Sequence, residues 1–225
     1  GKMTYNFSDT PASEIRSEIM QNFGPVAASR GLTLKVNQAD DFPHVIFTDK
    51  QRLMQVIKNL LSNAFKFTGT GGVKINLGIT PSAKKLVNPD LDHRRTCFIA
   101  VEDSGIGIPA SKVNEIFEAF QQADGSISRK YGGTGLGLSI SKQLTRALGG
   151  EIHVESAEGR GSVFTVYLPL DSKPAGSPDD PRNLEQHREN EISESEINLE
   201  DLPAFIDDDR YADDHRLLVL IIHRE

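Results

Sequence analysis

Residues 59–68 read N-L-L-S-N-A-F-K-F-T and form the last part of a longer helical pattern. The apolar residues of that pattern recur at helical spacing, and they are Leu53, Val56, Ile57, Leu60, Leu61 and Ala64. The pattern predicts a helix over residues 50–67 with one buried side. Asn59, Asn63 and Lys66 interrupt its last turns, and residues three or four positions apart lie together on one face of a helix. The sequence therefore predicts one polar face on an otherwise core-facing helix.

This polar face carries groups that suit a metal-bound phosphate. An Asn side-chain carbonyl is a hard, uncharged oxygen of the kind that Mg²⁺ accepts, and Mg²⁺ takes its other ligands from water and phosphates. The ammonium group of Lys66 could then contact a phosphate oxygen. An isolated pair of Asn residues could equally cap or solvate a helix surface, so the segment alone leaves both interpretations open.

A second polar segment, D-S-G-I-G-I at residues 103–108, follows a predicted strand. Its paired glycines permit close approach of a ligand to the backbone. An ionised Asp103 can accept a hydrogen bond from the exocyclic amine of adenine, a donor that guanine lacks at that position. An ordinary tight turn would give the same pattern.

Residues 105–110 also match the dinucleotide fingerprint G-x-G-x-x-G/A in form. That fold needs a second parallel strand ending in an acidic residue about 20 positions later. Residues 120–131 are polar and show no strand pattern, which disfavours a dinucleotide site.

Two further segments lie close together, I-F-E-A-F at residues 116–120 and R-K-Y-G-G-T-G-L-G-L-S-I at residues 129–140. A glycine-rich segment that opens into a helix directs free N–H groups and the positive end of the helix dipole at an anion. Arg129 and Lys130 add positive charge, and Phe117 and Phe120 are expected to pin the start of the intervening loop to the core. The chain contains no Walker motif, so it is not a P-loop enzyme.

The rest of the chain to residue 170 mixes helices and strands. Asp49 is the expected N-cap of the helix over residues 50–67, and residues 81–95 are expected to form a surface loop. The other predicted elements are a strand at 3–8, a helix at 11–30, strands at 32–36, 45–47, 73–79 and 97–102, a helix at 109–120, a mobile loop at 121–133, a helix at 136–148, and a hairpin of strands at 151–156 and 162–169. This order predicts an α+β fold and not a regular βαβ series.

Taken together, the Asn segment, D-x-G-x-G, F-x-x-F and G-x-G-x-G resemble the Bergerat ATP-binding fold of gyrase, the heat-shock chaperone, mismatch-repair ATPases and sensor histidine kinases. The segments N-L-L-S-N-A-F-K-F-T and F-E-A-F-Q-Q resemble those of histidine kinases in particular. This resemblance covers residues 1–170. The resemblance implies a catalytic, ATP-binding domain built as a two-layer α/β sandwich, with a mixed sheet covered by helices on one face.

The resemblance also implies ATP and Mg²⁺ as ligands. Asn63 would bind Mg²⁺, Asn59 and Lys66 would act catalytically at the phosphates, Asp103 would bind adenine, and residues 131–138 would bind the triphosphate under a lid at about 109–134. The implied nucleotide-binding set is Asn59, Asn63, Lys66, Phe67, Asp103, Gly105, Gly107, Ile108, Phe120, Arg129, Lys130, Tyr131, Gly132, Gly133, Thr134, Gly135, Leu136, Gly137, Leu138 and Thr165.

Position 59 separates two branches of this superfamily. The members that hydrolyse ATP carry a Glu four positions before the metal-binding Asn, and this chain has Asn59 there. An amide cannot take up a proton at neutral pH. The resemblance therefore favours phosphoryl transfer to a protein acceptor, with a binding-only ATP-sensing module as the alternative.

None of the six His residues lies in the acceptor motif of histidine kinases. We therefore expect the acceptor on a dimerisation domain of the same protein, upstream of these residues. The expected parent is a homodimer, whereas this chain is expected to be a cytoplasmic monomer with little autokinase activity of its own.

Charge divides the chain into a body and a tail. Residues 1–170 hold 19 Lys or Arg against 16 Asp or Glu, and residues 171–216 hold 5 against 15. The tail composition predicts a disordered acidic linker. Residues 217–225 are expected to begin a receiver-like domain, so the expected parent is a hybrid kinase. Its expected partner is that receiver or a response regulator. Receivers carry paired acidic residues after their first strand, whereas this chain has only Glu225 there.

Composition excludes other classes of function. The mildly positive body lacks the basic stripe of a nucleic-acid-binding protein, and the absence of Trp argues against a base-stacking platform. Cys97 is the sole cysteine, so we expect a core residue and no disulfide. No apolar run approaches the roughly 18–20 residues of a membrane span, and no membrane contact is expected.

Overall fold

The computed structural model describes residues 4–113, 115–118 and 136–170. The strands are β1 (Ser8–Pro11), β2 (Thr33–Gln38), β3 (Val45–Thr48), β4 (Gly72–Ile79), β5 (Thr96–Asp103), β6 (Glu151–Ala157) and β7 (Gly161–Pro169). The helices are α1 (Ala12–Ser29), α2 (Lys50–Phe67) and α3 (Gly137–Ala147). No helix in these described ranges is long and apolar enough to cross a membrane.

The principal sheet has the strand order β2-β4-β5-β7-β6. Strands β2 and β4 pair in parallel, and the other neighbours pair antiparallel. Strands β1 and β3 form a separate antiparallel pair. The sheet is therefore mixed, and the α+β prediction is confirmed.

Helix α2 packs on β4 and β5 and lies between α1 and α3 in the helical layer that covers the sheet. Its residues Ile57, Leu61 and Phe65 are fully buried, and the ring of Phe65 stacks on Phe23 of α1 with centroids 5.8 Å apart. Each such side chain contributes about 1.5–3 kcal/mol to folding through removal from water. This packing holds α2 rigidly, which matters because α2 carries the predicted polar face.

The predicted N-cap of α2 is confirmed. One carboxylate oxygen of Asp49 accepts the backbone N–H of Arg52 at 3.0 Å, and the other accepts the N–H of Asn6 at 2.8 Å. Asp49 is buried, so both bonds are shielded from water. A single side chain thus starts the helix and attaches the N-terminal segment to it.

The face of the sheet opposite the helices is partly covered by the predicted surface loop. Glu151 on β6 accepts the N–H groups of Val87 and Asn88 at 3.0 and 2.6 Å, and Lys84 lies 5.9 Å from the centroid of the Tyr167 ring. Tyr167 is consequently buried although it faces away from the helices. The prediction that helices cover one face of the sheet is confirmed. Residues 81–95, which end in a 3-10 turn at His93–Arg95, partly cover the other face, which the sequence did not predict.

Two predicted elements differ from the structure. The first strand is Ser8–Pro11 and not 3–8, because its partner β3 runs antiparallel with Ser8 opposite Thr48 and Pro11 opposite Val45. The described residues of the predicted helix at 109–120 form successive turns, with the N–H of Lys112 bonded to the carbonyl of Pro109 at 2.8 Å. Most of the bonds in this segment join residues three apart, and only that from the N–H of Ile116 to the carbonyl of Lys112 joins residues four apart, so the described residues form turns and not a regular α-helix.

Cys97 is buried and free, as predicted, and burial raises the pKa of its thiol to about 12. Among the other predictions, the loop at 121–133, the acidic linker at 171–216 and the receiver-like start at 217–225 fall outside the described residues.

Candidate functional site

The predicted polar face of α2 lies where two other segments meet the helix. Asn59, Asn63 and Lys66 are partly exposed, whereas Leu60 and Leu61 between them are buried in the core. Because its apolar side is locked by packing, α2 presents these polar side chains from a rigid support.

Asn59 contacts helix α3. Its amide Nδ2 donates to Oγ of Ser141 at 2.7 Å. A Cβ added at Gly137 would collide with Oδ1 of Asn59. The last glycine of the glycine-rich segment is therefore required by the close packing of Asn59 against the start of α3, and the Asn segment and the glycine-rich segment meet here.

Asn63 lies one helical turn further along α2. Within the residues that the structure describes, its side-chain amide has no hydrogen-bonding partner, and it is partly open to solvent. Among the described residues nothing occupies its side-chain oxygen, which can therefore bind an added ligand such as a metal ion. An amide oxygen presented in this way fits a Mg²⁺ ion that keeps its remaining ligands from water and phosphate.

Lys66 is half-buried near the C-terminal end of α2. Its Nζ lies 5.0 Å from the centroid of the Phe67 ring, and burial lowers the pKa of its ammonium group. The cause is loss of water around the charge, so an anion beside Lys66 would restore the favourable environment of the charged form. Lys66 is thus suited to receive a phosphate oxygen.

The end of α2 contacts the loop that follows β5. The N–H of Ile106 donates to the carbonyl of Phe67 at 3.3 Å. A Cβ at Gly105 would lie 2.5 Å from that same carbonyl oxygen and 2.8 Å from Oδ1 of Asp103. Gly105 thus allows the loop to pass directly over the end of the helix, and the D-x-G-x-G segment joins the polar face of α2.

Asp103 ends β5 and is only 7 % exposed. Oδ1 accepts the N–H of Gly105 at 2.8 Å, and the carboxylate also accepts the backbone N–H of Ser162. Burial raises the pKa of Asp103, while these two N–H groups act in the opposite direction. The carboxylate is fixed in place and retains unused lone pairs that can accept a hydrogen bond from a ligand.

The second half of the loop is attached to the turn between β6 and β7. Gly107 has a φ of +68°, and a Cβ there would collide with the carbonyl of Ala157. The N–H of Gly159 donates to the carbonyl of Ile106 at 2.7 Å, and Ile108 packs against the core. The loop after β5 is therefore held rigidly against this turn, and its conformation depends on Gly107.

Phe117 supports the far side of the site. Its ring meets Phe164 of β7 edge to face with centroids 6.3 Å apart, and Nζ of Lys142 on α3 lies 5.8 Å from its centroid. The predicted contact of Phe117 with the core is thus present, and it lies between β7 and α3.

The structure does not bring every predicted residue to this site. Thr165 pairs with Ala100 of β5 and His153 of β6, so it lies on the face of the sheet opposite Asp103. The prediction that Thr165 binds the nucleotide at this site is therefore wrong. The predicted residues Phe120, Arg129, Lys130, Tyr131, Gly132, Gly133, Thr134 and Gly135 lie outside the described residues. Leu136, Gly137 and Leu138 lie at the start of α3, where Gly137 is close to Asn59 and Leu138 packs against the core.

Sequence reasoning missed three serines that hold the site. Ser141 binds Asn59, Ser162 donates its N–H to Asp103, and Ser156 binds the N–H of Ile108 at 2.8 Å. No local motif marks them, because each acts on a residue far away in the chain. The register of the β6–β7 hairpin was the one available signal.

A model of the family described as histidine kinase-, DNA gyrase B-, and HSP90-like ATPase matches residues 48–172, more than half of the chain. The protein BarA of Escherichia coli K12, a signal transduction histidine-protein kinase, is 36 % identical over 174 residues, which cover 77 % of this chain and 18 % of BarA. Hybrid signal transduction histidine kinase A of Dictyostelium discoideum is 44 % identical over 146 residues, which cover 64 % of this chain and 7 % of that protein. The chain thus spans less than a fifth of either relative.

Solved structures give the same likeness. Full-length ShkA in complex with AMPPNP matches with a TM-score of 0.62 and 26 % identity, covering 78 % of this chain and 33 % of ShkA. The catalytic domain of the histidine kinase ThkA matches with a TM-score of 0.58 and 26 % identity, covering 73 % of this chain and 96 % of that domain.

Proposed function

Because the chain belongs to the histidine kinase-, DNA gyrase B-, and HSP90-like ATPase family, and hybrid sensor histidine kinases are among its relatives, we propose that it transfers the γ-phosphate of Mg-ATP to a histidine of a separate dimerisation domain. The family and the histidine kinases among its relatives and structural neighbours support an ATP-binding catalytic domain of the histidine kinase type. The proposal adds the metal, the acceptor and the role of each residue.

One observation carries the proposal. Helix α2 contacts α3 through Asn59 and the loop after β5 through Phe67. The amide of Asn63, which has no hydrogen-bonding partner among the described residues, lies between these two contacts. A nucleotide whose adenine reaches Asp103 and whose phosphates reach the start of α3 would pass along the polar face of α2. Asn63 and Lys66 are the groups that it would meet there.

The chemistry assigns a different task to each side chain. Asp103 would accept a hydrogen bond from the adenine amine, and the backbone N–H groups at the start of α3 would attract phosphate. Lys66 would neutralise charge on the phosphates, and Asn63 would hold Mg²⁺, which would neutralise further phosphate charge. Asn59 lacks the basicity to activate water, so the site favours transfer over hydrolysis.

The transfer requires a nucleophile that these residues do not supply. A neutral acceptor imidazole attacks the γ-phosphorus in line, a nitrogen–phosphorus bond forms, and the bond from the γ-phosphorus to the bridging oxygen breaks to release ADP. We propose that the acceptor belongs to a dimerisation domain of the same protein in a homodimeric parent. A receiver domain or response regulator would then take the phosphate onward.

A two-step experiment tests this function. Calorimetry of the chain with ATP and Mg²⁺ should show binding, and mixing with a separately made dimerisation domain should place labelled phosphate on its histidine. The chain alone should label itself at a negligible rate. Binding without transfer would favour a binding-only ATP-sensing module, and stable phosphate on one of the chain's own six His residues would contradict the assigned acceptor.

The pH dependence of ATP affinity tests the role of Asp103. Because the adenine amine prefers the ionised carboxylate, affinity should fall as pH decreases through the raised pKa of Asp103, at higher pH than for an ordinary Asp near 3.9. The stability of the ligand-free protein changes with pH in the opposite direction. Burial disfavours the ionised form, so the contribution of Asp103 to stability decreases as pH rises through the same window.

Asp103→Asn is the matched control for this titration. The amide does not titrate, so the variant should bind ATP more weakly and lose this part of the pH dependence. The terminal phosphate of ATP also titrates near pH 6–7, but it does so equally in both proteins, and the difference between the two curves isolates Asp103. Parallel curves for the two proteins would remove Asp103 from the adenine site.

A further inference from the structure

Three hydrogen-bonding groups converge on the hydroxyl of Ser156 at the end of β6. The N–H of Ile108 lies 2.8 Å from Oγ of Ser156, the carbonyl oxygen of Gly161 lies 3.0 Å from it, and Oγ of Ser162 lies 2.9 Å from it. Ser156 thus connects the loop after β5 to the start of β7. It touches none of Asn59, Asn63 and Lys66.

Counting donors and acceptors orients this network. A serine hydroxyl has one proton to donate and two lone pairs to accept with. The N–H of Ile108 can only donate, and the carbonyl of Gly161 can only accept. All three contacts are hydrogen bonds at once only if Ser156 accepts from Ile108 and donates to Gly161, which leaves one lone pair for the proton of Ser162.

This orientation determines what Ser162 can offer to a ligand. Ser162 lies directly opposite Asp103 in the pairing of β5 with β7, on the same face of the sheet, and its backbone N–H is bound to the Asp103 carboxylate. With its proton directed at Ser156, the hydroxyl of Ser162 has only lone pairs left. Asp103 and Ser162 together then form a wall of hydrogen-bond acceptors.

We propose that Ser156 is a positioning residue that sets base selectivity by holding Ser162 as an acceptor. The inference rests on the proposed adenine site at Asp103. An acceptor wall suits a purine with an exocyclic amine at position 6, which offers donors. It rejects a purine with a carbonyl there, because two sets of lone pairs would face each other with no proton between them.

Ser156→Ala tests the inference. Without its partner, the hydroxyl of Ser162 is free to rotate and donate to a ligand carbonyl. The ratio of the affinity for ATP to that for inosine triphosphate should fall by about fivefold to tenfold, mainly through tighter binding of inosine triphosphate. A merely structural role for Ser156 would weaken both nucleotides in parallel and leave the ratio unchanged.

A double-mutant cycle with Ser162→Ala completes the test. In the Ser162→Ala background no hydroxyl remains to reorient, so adding Ser156→Ala should not change the ratio. Ser156→Thr keeps the Oγ and should retain the wild-type ratio, and Ser29→Ala on exposed α1 serves as a surface control. If Ser156→Ala folds poorly, Ser162→Ala alone should still reject inosine triphosphate, because it removes an acceptor without supplying a donor.

The outcomes separate this inference from the proposed function. A wild-type chain that binds no Mg-ATP would overturn both. A wild-type chain that binds Mg-ATP, together with an unchanged ratio in Ser156→Ala or tight inosine triphosphate binding by Ser162→Ala, would overturn the role of Ser156 alone.

Discussion

Replacing Asn63 by Ala is expected to lower the affinity for ATP by about 100-fold in the presence of Mg²⁺ and to leave the weaker affinity in EDTA nearly unchanged. The reason is that the variant removes a direct oxygen ligand, and even residues that only support metal ligands cost roughly 10–100-fold when mutated. Isothermal titration with and without Mg²⁺ measures the two affinities.

The loss should occur without unfolding. Asn63 is partly exposed, and its amide has no hydrogen-bonding partner in the described part of the chain, so its truncation should change the free energy of unfolding by less than about 0.5 kcal/mol. Asn76→Ala is a matched control, because Asn76 lies on β4 and contacts Asn37 at 2.9 Å instead of the site. An Asn63→Ala protein that retains the full Mg²⁺ dependence would contradict the assignment.

The second large effect is expected from Gly107→Ala, which should destabilise the protein by about 3–5 kcal/mol and abolish detectable ATP binding. The φ of +68° costs a residue with a Cβ about 1–2 kcal/mol, and the collision with the Ala157 carbonyl adds the cost of overpacking. Relief of the collision would move the loop away from the β6–β7 turn and displace Asp103.

Gly159→Ala separates these two causes. Gly159 lies in the turn that Gly107 packs against and has a similar φ of +74°, but a Cβ there meets no atom within 4 Å. It should therefore cost only about 1–2 kcal/mol and leave ATP binding intact. Urea unfolding of both variants provides the comparison. Equal destabilisation by the two substitutions would show that close packing at Gly107 is unimportant.

The helix that carries the site could be predicted from sequence because its signals are local. The apolar residues repeat at helical spacing, Asp49 supplies a strong N-cap, and both bounds of α2 match the prediction. The glycines around Asp103 were equally informative, since Gly105 and Gly107 are each required by a specific close approach. These features follow from the chemistry of single segments.

The face of β7 that meets the helices could not be predicted. The segment V-F-T-V-Y-L at residues 163–168 is largely apolar on both faces, so its alternation does not identify the core side. Residues 81–95 cover the second face and bury Tyr167 there, which explains why both faces are apolar. The resemblance implied Thr165 at the site, and the alternation offered no means of correcting it, whereas the structure puts Ser162 opposite Asp103.

Contacts between residues far apart in the chain also could not be predicted from the sequence. Asn59 and Ser141 are 82 positions apart, and their hydrogen bond depends on how α2 and α3 pack. The expectation that Gly137 serves the phosphates stays a prediction, and it missed the collision with Asn59 that a Cβ would cause. Such requirements emerge only when the helices are placed together.

The most direct test is a crystal structure of this chain with Mg²⁺ and AMPPNP. We expect the metal on the side-chain oxygen of Asn63, the adenine amine within hydrogen-bonding distance of the Asp103 carboxylate, and phosphate oxygens near Lys66 and the start of α3. A nucleotide bound with its metal away from Asn63, or with its base away from Asp103, would contradict the convergence of these segments on one ATP site.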